Sequence, residues 1–176
     1  IVGSMSKFSR IAPNGTVTVL HTNVAFPQNP SKLIFDGPGR LLFADATGLG
    51  VMTSATPQLL APASDPLLAV AVDALGRMVA SHSSGNSALL LFSSTGTLLN
   101  PAFAPAKLDS PLARGPGGAT WRNDIVAVSP AGELIRVDTN GQSTVLGTGF
   151  FTATDFAFGP DGALYASFFF SDEILR

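Results

Sequence analysis

The stretch Asp155-Phe-Ala-Phe-Gly-Pro-Asp-Gly-Ala-Leu-Tyr-Ala-Ser167 has a pattern that predicts a β-hairpin, and altered copies of it recur along the chain. Phe156 and Phe158 alternate with the small Ala157, so one face of the first strand is bulky and apolar. Four turn-forming residues follow, and Gly162 among them can adopt the positive φ that such turns require. The apolar residues after the turn predict the return strand.

Two hairpin types alternate along the chain, at a repeat of about 40 residues. The opening stretch is of the first type, called inner here, and altered copies of it lie at 33–45 and 68–81. The second type, called outer, has Asn-Gly turns in Phe8–Leu20 and Leu134–Leu146 and related sequences at 89–99 and 52–60. Inner turns are predicted near Gly39, Gly76, Asn123-Asp124 and Gly162, and outer turns near Gly15, Thr56-Pro57, Gly96 and Gly141.

Four strands per repeat of this length predict an all-β protein, a β-propeller of four-stranded antiparallel blades. The chain holds about four blades: half a blade, three whole blades, then a little over half a blade. This order of half and whole blades fits a self-closed ring of four blades, and it also fits part of a larger ring. A partner chain that supplies the missing blades is a third possibility.

One inner hairpin departs from the pattern. Ala119–Val128 is predicted to form it, with a short turn at Asn123-Asp124, and the Pro-, Ala- and Gly-rich stretch 100–118 is predicted to be the longest loop. Residues 1–5 are set apart as disordered or foreign to the protein. Residues 6–176 are expected to form one propeller domain or a fragment of a propeller.

Composition narrows the possible functions. Hydrophobic residues make up 45% of the 176 residues and charged residues 12%, about half the usual share. The net charge is −2 and the chain has only three lysines. The sequence therefore has no basic stripe of the kind that binds nucleic acid. The chain has no cysteine, which excludes disulfides and thiol chemistry. No apolar run is long enough to predict a membrane span, and the weakly charged, Ser/Thr-rich composition favours a secreted protein.

The phrases Phe158–Ala166 and Ile135–Gly141 resemble the NHL-repeat group of propellers. At the level of the repeat this group is similar to the gluconolactonase and streptogramin-lyase families. The lactonase resemblance implies a metal held by carboxylate and amide side chains at one mouth of the ring, where Asp155 is the matching oxygen ligand at a predicted inner-strand start. The lyase resemblance implies a His and a Glu at the mouth, and His82 is the histidine that this chain offers.

Four residues are candidates for a ligand site. Asp45 and Asp155 flank inner hairpins and are expected at one mouth of the ring, where with a third oxygen they would bind Ca²⁺. The alternative is hydrogen bonding within turns. His82 is a candidate base or ligand, against a solvated loop histidine. Trp121 is a candidate binding surface, against packing in the core.

The aromatic run Phe168-Phe-Phe170 must place at least one ring on each face of its strand, because side chains alternate. The sequence contains no nucleophile elbow, phosphate loop or His-Glu-x-x-His motif. Because the repeats are clear and no catalytic motif is present, the sequence predicts a non-catalytic binding or assembly module with a protein or carbohydrate ligand. The alternative is a metal-dependent lactonase or lyase-type enzyme with its site at the ring mouth. Self-association through open ends is a further possibility.

Overall fold

The computed structural model describes residues 2–4, 7–22, 31–37, 39–52, 57–83, 88–104, 108–169, 171 and 173–176. Within these ranges the chain forms eighteen β-strands and one short helix. They are β1 (Val2–Ser4), β2 (Lys7–Ile11), β3 (Val17–Thr22), β4 (Lys32–Phe35), β5 (Leu41–Asp45), β6 (Gly48–Met52), β7 (Pro57–Pro62), β8 (Leu67–Val72), β9 (Met78–His82), β10 (Leu90–Phe92), β11 (Leu98–Asn100), β12 (Asp109–Arg114), α1 (Gly118–Trp121), β13 (Ile125–Val128), β14 (Glu133–Val137), β15 (Ser143–Thr148), β16 (Ala153–Phe158), β17 (Leu164–Phe168) and β18 (Ile174–Leu175).

The strands form five antiparallel sheets in chain order, which confirms the predicted β-propeller and its register. Blade 1 contains β1–β3, blade 2 β4–β7, blade 3 β8–β11, blade 4 β12–β15 and blade 5 β16–β18. Strand β1 lies within the five residues that the sequence analysis set apart. In the described residues β17 pairs with β18 on its outer side, and β2 pairs with β1 on its inner side. Blades 1 and 5 are therefore separate sheets. In this part of the chain no helix is long and apolar enough to cross a membrane.

The prediction for the third inner hairpin is wrong. Its first strand is β12, which lies inside the stretch predicted to be a loop and pairs with β13. Residues 115–124 connect the two strands and include α1, so Asn123-Asp124 end a longer connection. The pattern hid β12 because Pro111 interrupts it. An innermost strand has one edge without a ladder partner, and proline is tolerated there.

The core lies between the blades. Because strand side chains alternate, each blade presents a back face to the preceding blade and a front face to the following one. Leu42 and Val51 of blade 2 pack with Val70 and Met78 of blade 3, and similar clusters join blade 3 to blade 4 and blade 4 to blade 5. The ring of Phe8 in blade 1 lies 5.2 Å, centre to centre, from that of Phe43 in blade 2.

An arginine in the inner turn latches one blade to the next. Arg77 donates from Nε to Oδ2 of the buried Asp73 at 2.7 Å, and from its terminal nitrogen to the carbonyl oxygen of Thr139 in the outer turn of blade 4 at 2.6 Å. The same contacts occur one blade earlier among Asp36, Arg40 and Ser94. The Asp-x-x-Gly-Arg sequence of the inner turn therefore fixes neighbouring blades to each other.

Candidate binding channel

The inner strands of blades 2 to 5 surround a central channel with a volume of about 290 Å³. Strands β4, β8, β12 and β16 all contribute to its wall. Most of the wall is apolar, and three small residues leave space along it: Ala71, Ala113 and Ala157. Each inner strand starts at one end of the channel, called the mouth, and finishes at an inner turn at the other end, called the turn end.

At the mouth, Asp155 on β16 of blade 5 forms an ion pair with Lys32 on β4 of blade 2. Blades 1 to 5, taken in chain order, are called the arc below. The carboxylate is more than half exposed and also accepts the backbone N–H of Phe156 at 2.8 Å. Together with Ser31 and Pro111, this pair lines a depression of about 250 Å³. The lysine ammonium occupies the position beside the carboxylate that a cation would need, so a metal ion at Asp155 would have to displace it.

Asp45 lies at the same end of the blades as Asp155, because the residue before it pairs with Lys32. Its carboxylate is fully buried, and Oδ1 accepts the N–H and the hydroxyl of Thr47, both at 2.7 Å, and the N–H of Gly48 at 3.1 Å. Asp45 thus holds the turn between β5 and β6. Among the described residues no three His, Asp or Glu side chains form a group that could hold a metal ion. Calcium binding stays a prediction.

His82 lies away from the channel. Its Nδ1 is 4.0 Å from a carboxylate oxygen of Asp65, and its ring lines a separate cavity of about 390 Å³ between the outer parts of blades 2 and 3. Leu90, Phe92 and Leu98 form much of the wall of that cavity. The structure therefore does not bring His82 and Asp155 into one pocket.

Trp121 is half-buried on α1, with its ring edge-on to that of Phe158 at 5.1 Å. It lines an apolar groove between blades 4 and 5 and supports the channel wall through Phe158. Phe168, the last residue of β17, is buried, and Phe169, in the turn that follows, is exposed. Phe170 lies outside the described residues.

Two channel residues were missed by the sequence analysis. Phe35 is 59% exposed at the turn end, and Arg114 lies at the same end on β12. Arg114 contacts the neutral amide oxygen of Asn123 at 3.5 Å. A signal for Phe35 was available, since it corresponds in the aligned hairpins to Phe158, which also lines the channel.

The acidic side chains at the turn end also form hydrogen bonds within their turns. Asp36 lines the channel but accepts both the backbone N–H and the Nε–H of Arg40 at 2.7 Å. In the exposed inner turn of blade 5, the backbone N–H of Ala163, followed by the guanidinium of Arg176, lowers the pKa of Asp161. These contacts hold both carboxylates to their turns, and those of Asp161 favour its ionised form.

No protein-family model and no curated protein sequence matches the chain. Solved propellers do match it in structure. A gluconolactonase from Xanthomonas campestris superposes with a TM-score of 0.72 at 18% identity, over 90% of this chain and 61% of that one. A putative gluconolactonase gives 0.73 at 16% identity, over 97% and 66%.

Virginiamycin B lyase from Staphylococcus aureus gives a TM-score of 0.65 at 13% identity, over 97% of this chain and 62% of that one. The chain thus spans less than two thirds of the length of this lyase. The predicted resemblance to the gluconolactonase and streptogramin-lyase propellers is confirmed at the level of the fold. The fold and the channel together define the chain as a β-propeller with an apolar central cavity.

Proposed function

We propose that the chain is a non-catalytic binding module on an NHL-like β-propeller, with its ligand site in the central channel. One observation carries the proposal: Asp36, the acid among the described residues that line the channel, and Asp155, which lines the depression at its mouth, are each held by a cation. General acid–base catalysis needs a titratable group placed to exchange a proton with the substrate. Ion-paired carboxylates beside an apolar wall suit binding better.

The channel lining indicates the chemistry of the ligand. The exposed ring of Phe35 offers a flat apolar surface, on which an aromatic group or the apolar face of a sugar ring can stack. Arg114 lies at the same end of the channel and suits an anionic group. At about 290 Å³, the space is at the small end of ligand pockets. It fits a small molecule with a flat ring and a negative charge, or one side chain of a protein partner.

Closing the channel tests this site. Ala157 lines the channel and is exposed, so Ala157→Trp should fill the space without disturbing a packed cluster. We expect this variant to bind 8-anilinonaphthalene-1-sulfonate at least about tenfold more weakly than the unchanged protein in a fluorescence titration. The probe carries both an aromatic body and an anionic group.

The matched control is Ala131→Trp, which adds the same side chain at an exposed turn of blade 4 away from the channel. Its affinity for the probe should equal that of the unchanged protein, and circular dichroism checks that both variants fold. Equal affinity of the two tryptophan variants would place the probe outside the channel and refute the assignment.

The alternative function is a metal-dependent lactonase or lyase with its site at the mouth. The likeness of the fold to gluconolactonase and virginiamycin B lyase favours it, together with the partly exposed Asp155 in the depression at the mouth. Under this alternative Asp155 would bind the cation in place of Lys32.

Activity assays separate the two functions. We expect no hydrolysis of glucono-1,5-lactone and no cleavage of a streptogramin B above the buffer rate, with or without added Ca²⁺, because Lys32 competes with a metal for Asp155. Turnover that both chelation and Asp155→Ala remove, but that Asp65→Ala leaves intact, would establish the enzyme. Asp65 is a suitable control because it lies in the separate cavity beside His82.

A further inference from the structure

The back face of blade 1 lacks the packing that the other blades have at the same position. The residue directly before each outer turn points to the preceding blade. In blades 2, 3 and 4 it is Met52, Phe92 and Val137, which are 6%, 3% and 0% exposed. In blade 1 it is Ile11, which is 51% exposed. An apolar side chain that the repeat normally buries is therefore open to solvent.

The glycines of the outer turns show the same difference. A Cβ on Gly96 would lie 2.4 Å from the carbonyl oxygen of Leu60, and one on Gly141 would lie 1.9 Å from that of Phe103. In both cases the contact belongs to the preceding blade or to the segment that leads out of it. A Cβ on Gly15 would meet no described atom within 4 Å. Among the residues that the structure describes, none packs against this outer turn as the preceding blade does in blades 3 and 4.

The front face of blade 5 is open in the corresponding way. By strand register, Tyr165 and Ile174 occupy the places that Val79 and Leu89 occupy in blade 3. Val79 and Leu89 are fully buried against blade 4. Tyr165 is only half-buried, and Ile174 is largely exposed. The two ends of the arc thus carry the two halves of the interface that joins blade 3 to blade 4.

We propose that the front face of blade 5 in one copy packs on the back face of blade 1 in a second copy, as blade 3 packs on blade 4. The contact is head to tail, so it can extend beyond a dimer. Charge supports this occupant: Lys7 lies at the mouth end of blade 1 and Glu173 at the mouth end of blade 5, and both are exposed. Opposite charges on the two partners favour this pairing.

The strength of the contact follows from the turns. Blade 5 has Ala163 where blades 2 and 3 have the latching arginines, so the contact between copies forms without a latch. We expect reversible association with a dissociation constant on the order of 10 µM. The contact does not involve the channel. The proposed self-association can therefore be wrong while the proposed ligand site is right, and the ligand site can be wrong while self-association is right.

Light scattering after size-exclusion chromatography tests the proposal between about 1 and about 200 µM protein. The mass should rise above 18.1 kDa with concentration. Ile11→Ser and Ile174→Ser should each weaken association about tenfold by removing an apolar contact. Leu75→Ser, which removes an equally exposed apolar side chain from the inner turn of blade 3, should leave it unchanged.

A charge exchange identifies the partner. Lys7→Glu and Glu173→Lys should each weaken self-association several-fold, on the order of the effect of a rim ion pair. An equimolar mixture of the two variants should recover the lost association, because opposite charges then meet again. A mass of 18.1 kDa at every concentration, or variants at Ile11 and Lys7 that associate like the Leu75→Ser control, would overturn the proposal.

Discussion

Replacing Gly141 with alanine is expected to lower the free energy of unfolding by about 3 kcal/mol. Gly141 has a φ of +84°, which is strained for any residue with a Cβ. The added Cβ would lie 1.9 Å from the carbonyl oxygen of Phe103, far inside van der Waals contact. Both groups are backbone or fixed to it, so relief requires the outer turn of blade 4 to move away from the segment that follows blade 3.

Gly15→Ala is the matched control, because Gly15 is the glycine of the corresponding Asn-Gly outer turn in blade 1. Its φ is +81°, and its Cβ would meet nothing within 4 Å. Only the backbone strain remains, so a loss of about 1 kcal/mol is expected. Urea unfolding followed by circular dichroism measures both values. Equal losses in the two variants would show that contact between blades does not constrain the outer turn of blade 4.

Arg77→Ala is expected to lower the free energy of unfolding by about 3 kcal/mol, because it leaves a buried carboxylate without its cation. Asp73 is 2% exposed. The substitution also removes the bond to the carbonyl oxygen of Thr139 and the contact of the guanidinium with the ring of Phe103, whose centre is 5.6 Å away. The backbone N–H groups of Leu75 and residue 77 still reach the carboxylate, which limits the loss.

Two other arginines calibrate this result. Arg40→Ala breaks the equivalent latch between blades 2 and 3, where the arginine is more exposed and its bond to Ser94 is longer, at 3.2 Å. Its loss should be smaller, about 1 to 2 kcal/mol. Arg176→Ala removes an ion pair with Asp161 at the surface and should have no measurable effect. If Arg77→Ala matches Arg176→Ala in urea unfolding, the latch does not stabilise the fold.

The fold could be predicted from the sequence because each hairpin carries local signals. Alternating apolar residues and positive-φ turns, such as those at Gly15 and Gly162, are properties of short segments. Strand β12 lacks them because Pro111 interrupts its pattern, and it forms a strand only because β13 offers it a partner. Local pattern was insufficient where pairing with a distant strand determines the structure.

The candidate site was harder to predict because it depends on three-dimensional neighbours. A strand-end aspartate can face the ring mouth or close a turn, and hydrogen bonds to Thr47 and Gly48 place Asp45 in the second group. Phe35 has the sequence of a buried strand residue, yet it is exposed in the channel. Whether a side chain is buried depends on which blade faces it, and a repeat pattern does not contain that information.

Nuclear magnetic resonance can locate the bound probe residue by residue and so show whether the central channel holds a ligand. Proton–nitrogen spectra of the labelled protein would be recorded during a titration with 8-anilinonaphthalene-1-sulfonate. A ligand site in the channel predicts saturable shifts of the amides on the inner strands, at Phe35, Ala71, Ala113 and Ala157. Shifts confined to the cavity beside His82 or to the outer strands would contradict a ligand site in the channel.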